Sequence, residues 1–280
     1  MPFSDSWIEN PATWGVAGFI LFWALETWLP FVQDRRERVV HAGRNVALTL
    51  MNGALIAVVF VAAMAWVAGW ADSNGMGLLH AFSAPAWAKS LLALLLMDAW
   101  IYLWHRVSHV VPILWRLHRV HHTDPAIDVS SATRFHSAEI FISSVLRLAL
   151  IPLLGLSFGH LILYDMLQLP VTQFHHSNLR LPEKVDRIVR ALIVSPNMHR
   201  VHHSRLQLET DSNFSSIFSV WDRLAGTFRL RTHPETIEFG LDGFDAAERQ
   251  SVWGMLGTPF LASSREPSSP SKQDKLSPLA

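Results

Sequence analysis

The stretch Asp98–His122, DAWIYLWHRVSHVVPILWRLHRVHH, carries His105 and His109 four apart, then His118, His121 and His122. Residues three and four apart share one face of a helix. Each group can therefore present two or three imidazoles in one direction, as a metal site built from helices requires. The second spacing returns downstream at His199, His202 and His203. One H-x-x-H-H is weak evidence, but two copies beside an H-x-x-x-H exceed what chance gives for 15 histidines in 280 residues.

Over its full length the chain is 50% hydrophobic and only 16% charged, too apolar for an ordinary soluble domain and natural for a membrane protein. Lys+Arg and Asp+Glu are equal at 23 each, which argues against a nucleic-acid surface. No cysteine is present, so disulfides, thiolate ligands, iron–sulfur clusters and a cysteine nucleophile are excluded. Imidazole and carboxylate remain as ligands. The N-terminal MPFSDSWIEN lacks a basic region, so no cleaved signal peptide is expected.

The apolar runs give a topology. A first crossing is expected over 12–32, followed by Arg35, Arg36 and Arg38, which should stay cytosolic. A second run over 46–71 returns, and the connector 72–87 has no Lys or Arg, as expected of the outer side. The third run, 88–104, leads back into His105 on the side of the arginines. The apolar stretch 140–174, broken by Pro152, Gly155 and Gly159, reads as a hairpin entering from the cytosol and turning near Leu156. Arg147 and Asp165, equally far from that turn, are expected to pair or to face a cavity. Trp14, Trp28, Trp70, Trp87 and Trp104 fit an interfacial belt. The fold class expected is all-α and membrane-integral, with about four membrane helices under a cytosolic helical cap. Its parts are N-terminal membrane helices over 1–86, a catalytic domain over 87–257 with cap helices near 184–194 and 198–205, and a disordered tail over 258–280, Ser/Pro/Lys-rich from Ser263.

Isolated histidines (His41, His80, His160, His233) read as structural or solvated, whereas the clustered ones would repel if charged and be poorly solvated if buried neutral unless metal takes their lone pairs. Eight or more ligands exceed what one ion uses, so two ions are expected. Asp98, seven before His105 with Tyr102 between them, is expected to orient a ligand imidazole through its second N–H. Arg134-x-His136-x-x-Glu139 and His175-His176-Ser177-Asn178 flank the hairpin at the same level, and their placement makes them candidate ligands or supporting groups.

In combination, these pieces resemble the fatty acid hydroxylase and sterol desaturase superfamily of membrane di-metal oxygenases. The resemblance rests on D-x-x-x-Y-x-x-H-R-x-x-x-H (98–109), H-R-V-H-H (118–122), R-x-H-x-x-E (134–139), Q-F-H-H-S-N (173–178) and S-P-N-M-H-R-V-H-H (195–203), with W-D-R-L-A-G-T (221–227) as the closing motif. Ala225 stands where the family usually has Phe. The resemblance implies two iron ions held by His105, His109, His118, His121, His122, His199, His202 and His203. His136 is implied from its own box and His176 by its place two before Asn178, with His175 the weaker alternative. Asp98, Tyr102, Glu139, Asn178 and Asn197 are the supporting polar groups.

Such a site activates O2 reductively and oxidises an unactivated C–H bond of a lipid. Hydroxylation is the leading expectation and desaturation the runner-up, because no residue separates the two outcomes. A membrane metal transporter or sensor would place its ligands at the membrane midplane rather than at the helix ends. An inert scaffold that keeps the boxes is a further alternative. No dinucleotide fingerprint or haem-attachment motif is present, so a separate donor, a ferredoxin or a cytochrome with its reductase, is expected at the cytosolic cap. A bacterial inner membrane is the expected location.

Overall fold

A computed structural model describes residues 10–33 and 37–262. Arg35, Arg36 and the tail from Ser263 lie outside the described residues, as does nearly all of the N-terminal MPFSDSWIEN. Among the described residues the fold is helical, with isolated β-bridges and no sheet. The helices are α1 (Pro11–Trp28), α2 (Arg38–Leu55), α3 (Val61–Ser73), α4 (Ala86–Val110), α5 (Pro112–His122), α6 (Ser137–Leu154) and α7 (Phe158–His176). Short cap helices follow: α8 (Glu183–Val189), α9 (Pro196–His202), α10 (Gln207–Thr210), α11 (Val220–Leu224) and α12 (Val252–Gly257).

Among the described residues, three helical stretches are long and apolar enough to cross a membrane: Arg38–His80, Ala86–Val110 and Ser137–Leu154. In the first, α2 runs into α3 through a π-helical turn, Ile56–Phe60. The expected crossing at 12–32 is not among them. Its helix, α1, packs along α7, and at Gly15 a Cβ would come within 2.4 Å of Leu169 Cδ2. At Gly18 it would come within 2.3 Å of Gln173 Oε1. Near its end α1 buries Glu26, which pairs with Arg38 at 2.8 Å and accepts the backbone N–H groups of Val129 and Asn178. Those partners place the last turn of α1 in a polar layer at the level of the histidines, so a carboxylate is tolerated there.

An apolar core, including Met64, Ala93, Met97, Ile151, Leu161 and Tyr164, joins α3, α4, α6 and α7. Helices α6 and α7 are joined by a short turn. Gly155 ends α6 in the left-handed region, and Ser157 caps α7 in a reciprocal box with His160. Arg147 and Asp165 pair at 2.8 Å across it. The hairpin tip meets the α3–α4 connection, where Gly77, at φ +94, approaches so closely that a Cβ would lie 2.1 Å from Gly155 N. The cap helix expected at 184–194 stops early, because Ile193 leaves it to bridge Phe218.

Replacing Gly77 by Ala should therefore cost more than replacing Gly75. Both have positive φ, but a Cβ at Gly75 meets nothing within 4 Å. Gly75→Ala should cost only the left-handed strain of about 1–2 kcal/mol. Gly77→Ala should lower the melting temperature in detergent further, and equal losses would contradict the close approach.

Candidate metal centre

Two local features fold the histidine stretch back on itself. Val111 precedes Pro112 and takes an extended conformation, φ −84 and ψ 117, which ends α4 and lets α5 start with proline at its first turn. As α5 turns back, His118 comes within 4.9 Å of His105 and His122 within 4.7 Å of His109, ring centre to ring centre. Downstream, Ser195 caps α9 and presents His199 and His202 from its last turn, with His203 following.

The imidazoles divide into two groups whose ligand nitrogens lie within 4.8 Å of one another. His105, His109, His118, His122 and His202 form one group, and His121, His176, His199 and His203 form the other. All but His105 are buried.

In the five-histidine group the outward nitrogens decide the chemistry. Nδ1 of His105 meets the carbonyl of Phe214 at 2.8 Å, and Nδ1 of His202 meets that of Ser212 at 2.7 Å. Nδ1 of His118 meets Glu139 Oε1 at 2.7 Å, and Nδ1 of His109 meets Asp211 Oδ1 at 3.3 Å. Carbonyls and carboxylates only accept, so each of these Nδ1 atoms carries the proton and each Nε2 is left as a bare lone pair. Nε2 of His105, His118 and His202 is buried without a hydrogen-bond partner. Those three converging lone pairs fit a cation, while Nε2 of His109 meets that of His122 at 3.1 Å. In the four-histidine group Nε2 of His176 lies 3.0 Å from that of His121 and 3.0 Å from that of His199, which is 3.1 Å from that of His203. Only His176 has an outward partner there, the Thr172 carbonyl on its own helix, while Nδ1 of His121, His199 and His203 is buried and unpaired. The rings of His121 and Phe135 stack at 4.5 Å.

Several expected residues sit elsewhere. His136 joins neither group: its Nδ1 accepts the Ala138 N–H to cap α6, and its Nε2 meets the Leu256 carbonyl. His175 is buried with its ring 4.1 Å from His199 but is also outside both groups. Asp98 contacts no imidazole. Its carboxylate accepts from the N–H groups of Ile217 and Phe218, the Trp221 indole and the Tyr164 hydroxyl, and the Nδ1–H of His105 goes instead to the Phe214 carbonyl. Tyr102 bonds Thr227 at 2.9 Å. Asn178 tethers Val32 through both side-chain atoms, and Asn197 accepts from Arg200. Glu139 alone of the five supporting groups touches an imidazole of either group directly. Ala225 is exposed.

Sequence reasoning missed a buried polar knot behind α5. His41, read as structural or solvated, is structural and lies between Asp124 at 2.8 Å and Asp128 at 3.1 Å. Arg134 donates to the Val120 carbonyl, Asn45, Thr123 and Gln250. The available signal was the acidic pair in Asp124–Asp128 directly after a histidine box. His80, His160 and His233 take local partners away from both groups.

A family model described as "Fatty acid hydroxylase" matches residues 90–227. The ornithine lipid hydroxylase OlsE of Rhizobium tropici is 26% identical over 86% of the chain and 72% of that relative. The alkylglycerol monooxygenase of Danio rerio is 34% identical over 49% of the chain but only 30% of its own length. The cholesterol 25-hydroxylase of Rattus norvegicus is 28% identical over 58% of the chain and 54% of its own length. No solved structure matches the chain.

Burial first, and then neighbouring imidazoles, hold His121, His122, His199 and His202 well below the ordinary histidine value of 6.5. The unfolded chain gains protons as pH falls through 6.5, while the folded, metal-free centre does not, so protons favour unfolding. The metal-free protein should keep its melting temperature above pH 6.5 and lose it progressively below, and a flat profile would contradict the buried neutral centre.

Proposed function

From the chain's membership of the fatty acid hydroxylase superfamily, we propose that it is a membrane-bound di-iron oxygenase that hydroxylates a C–H bond of a lipid. The observation that carries this reading is the pair of imidazole groups, five and four, all buried but His105, with His105 and His109 at the end of the apolar helix α4. His105, His109, His118, His122 and His202 would hold one iron, and His121, His176, His199 and His203 the other. His136 and His175 are left out of the ligand set.

Bound iron would supply the reductive activation of O2, in which substrate, O2, two electrons and two protons give an alcohol and water. The chain's own part is geometric. Glu139, Asp211 and the carbonyls of Ser212 and Phe214 keep protons on the outward nitrogens, so the inward nitrogens of these rings present lone pairs, that of His109 toward His122. Burial of the rings excludes bulk water. The lipid enters from the bilayer between α4 and the α6–α7 hairpin, and a separate ferredoxin or cytochrome delivers electrons at a cytosolic cap. Relatives named as hydroxylases and monooxygenases favour oxygen insertion over desaturation. Ligands at helix ends rather than at mid-membrane favour an oxygenase over a transporter.

Lipid extracts of cells with and without the gene, compared by mass spectrometry, test this. A lipid class gaining about 16 mass units, one oxygen, is expected. A loss of two hydrogens would turn the reading to desaturation, and unchanged lipids under aerobic growth would contradict it.

A further inference from the structure

We propose that Asp98 and Asp222 are positioning residues for the five-histidine group, acting through the irregular segment Asp211–Phe218; this rests on the two-metal reading above. Three of that group's outward nitrogens find their partners within four consecutive residues: Asp211 Oδ1 for His109, the Ser212 carbonyl for His202 and the Phe214 carbonyl for His105. The imidazoles come from α4 and α9, so one segment sets the proton on rings from two distant elements.

An irregular backbone does not hold such positions by itself, and here buried side chains hold it. Asn213 takes the left-handed conformation, φ 54, which asparagine tolerates. Its amide donates to the carbonyls of Met198 at 2.8 Å and Arg229 at 2.7 Å. Asp222 accepts the N–H of Phe214 at 2.8 Å, the N–H of Ser215 at 2.9 Å and the Thr227 hydroxyl at 2.7 Å. Tyr102 completes that chain by bonding Thr227. Asp98, from the middle of α4, holds the other end through Ile217, Phe218 and Trp221 at 2.8–3.0 Å. Both aspartates are fully buried, and each uses both oxygens as acceptors. Exchanging either for asparagine keeps the volume but turns an N–H donor against an N–H donor.

The hydrogen bonds of the four-histidine group run between its own rings and to the Thr172 carbonyl, away from this segment. The effect of losing the segment should therefore fall on one metal and spare the other, which a general loss of stability would not do.

Anaerobic titration with Co(II), followed by metal analysis and the visible absorption of the bound ion, separates these outcomes. In wild type two ions bind. In Asp98→Asn and Asp222→Asn one ion should weaken by about 10- to 100-fold. Its absorption should shift while the second ion binds as before. Asp165→Asn, which breaks the Arg147 pair away from both groups, serves as the control for mere destabilisation and should bind two ions with the wild-type spectrum. Two wild-type ions in both test variants would overturn the proposal. So would the loss of both ions together. Fewer than two ions in the wild type would instead defeat the two-metal reading on which it rests.

Discussion

The structure depends on imidazole lone pairs that face one another in a space closed to water. Three inward nitrogens of the five-histidine group, on His105, His118 and His202, cannot satisfy each other, because their protons are committed outward to Phe214, Glu139 and Ser212. A buried lone pair without a donor is costly, and several pointing at one centre multiply the cost. A cation removes it. Much of the fold follows from keeping that centre assembled: the break at Pro112, the cap on α9 by Ser195, and the irregular segment after α10 that supplies acceptors.

The polar layer behind the centre follows the same logic. Buried Glu26, Asp124, Asp128 and Arg134 would each be unfavourable alone, and removing a partner, half-buried Arg38 or His41 included, leaves a buried charge uncompensated. Burial by itself would raise the Asp124 carboxyl; His41, Arg134 and Ser131 outweigh it and hold it well below the usual carboxylate range. Through Asp124 and Arg134 the knot fixes the turn that follows His122, and through Glu26 it fastens α1 and Asn178 to the same layer. The imidazole groups and the helix packing are thus one construction.

The histidine boxes were legible because a helix repeats every three to four residues, so His118, His121 and His122 announce a shared face before any contact is known. The Arg147–Asp165 pair was legible because an ionised group at membrane depth demands a partner. The division of rings between the groups was not legible: His121 and His122 are neighbours in sequence yet turn into different groups, which depends on where α7 and α9 arrive. Nor was the job of Asp98. Its spacing from His105 suggested direct contact, but the nearer acceptor is a backbone carbonyl, and carbonyls leave no trace in a sequence. His136 misled for a related reason, since a box residue that caps a helix looks the same in one dimension as one that binds metal.

Anomalous diffraction from crystals of the protein loaded with iron bears most directly on the central claim. Two peaks are expected, one enclosed by His105, His109, His118, His122 and His202 and the other by His121, His176, His199 and His203. A single peak, or metal bound outside these rings, would contradict it.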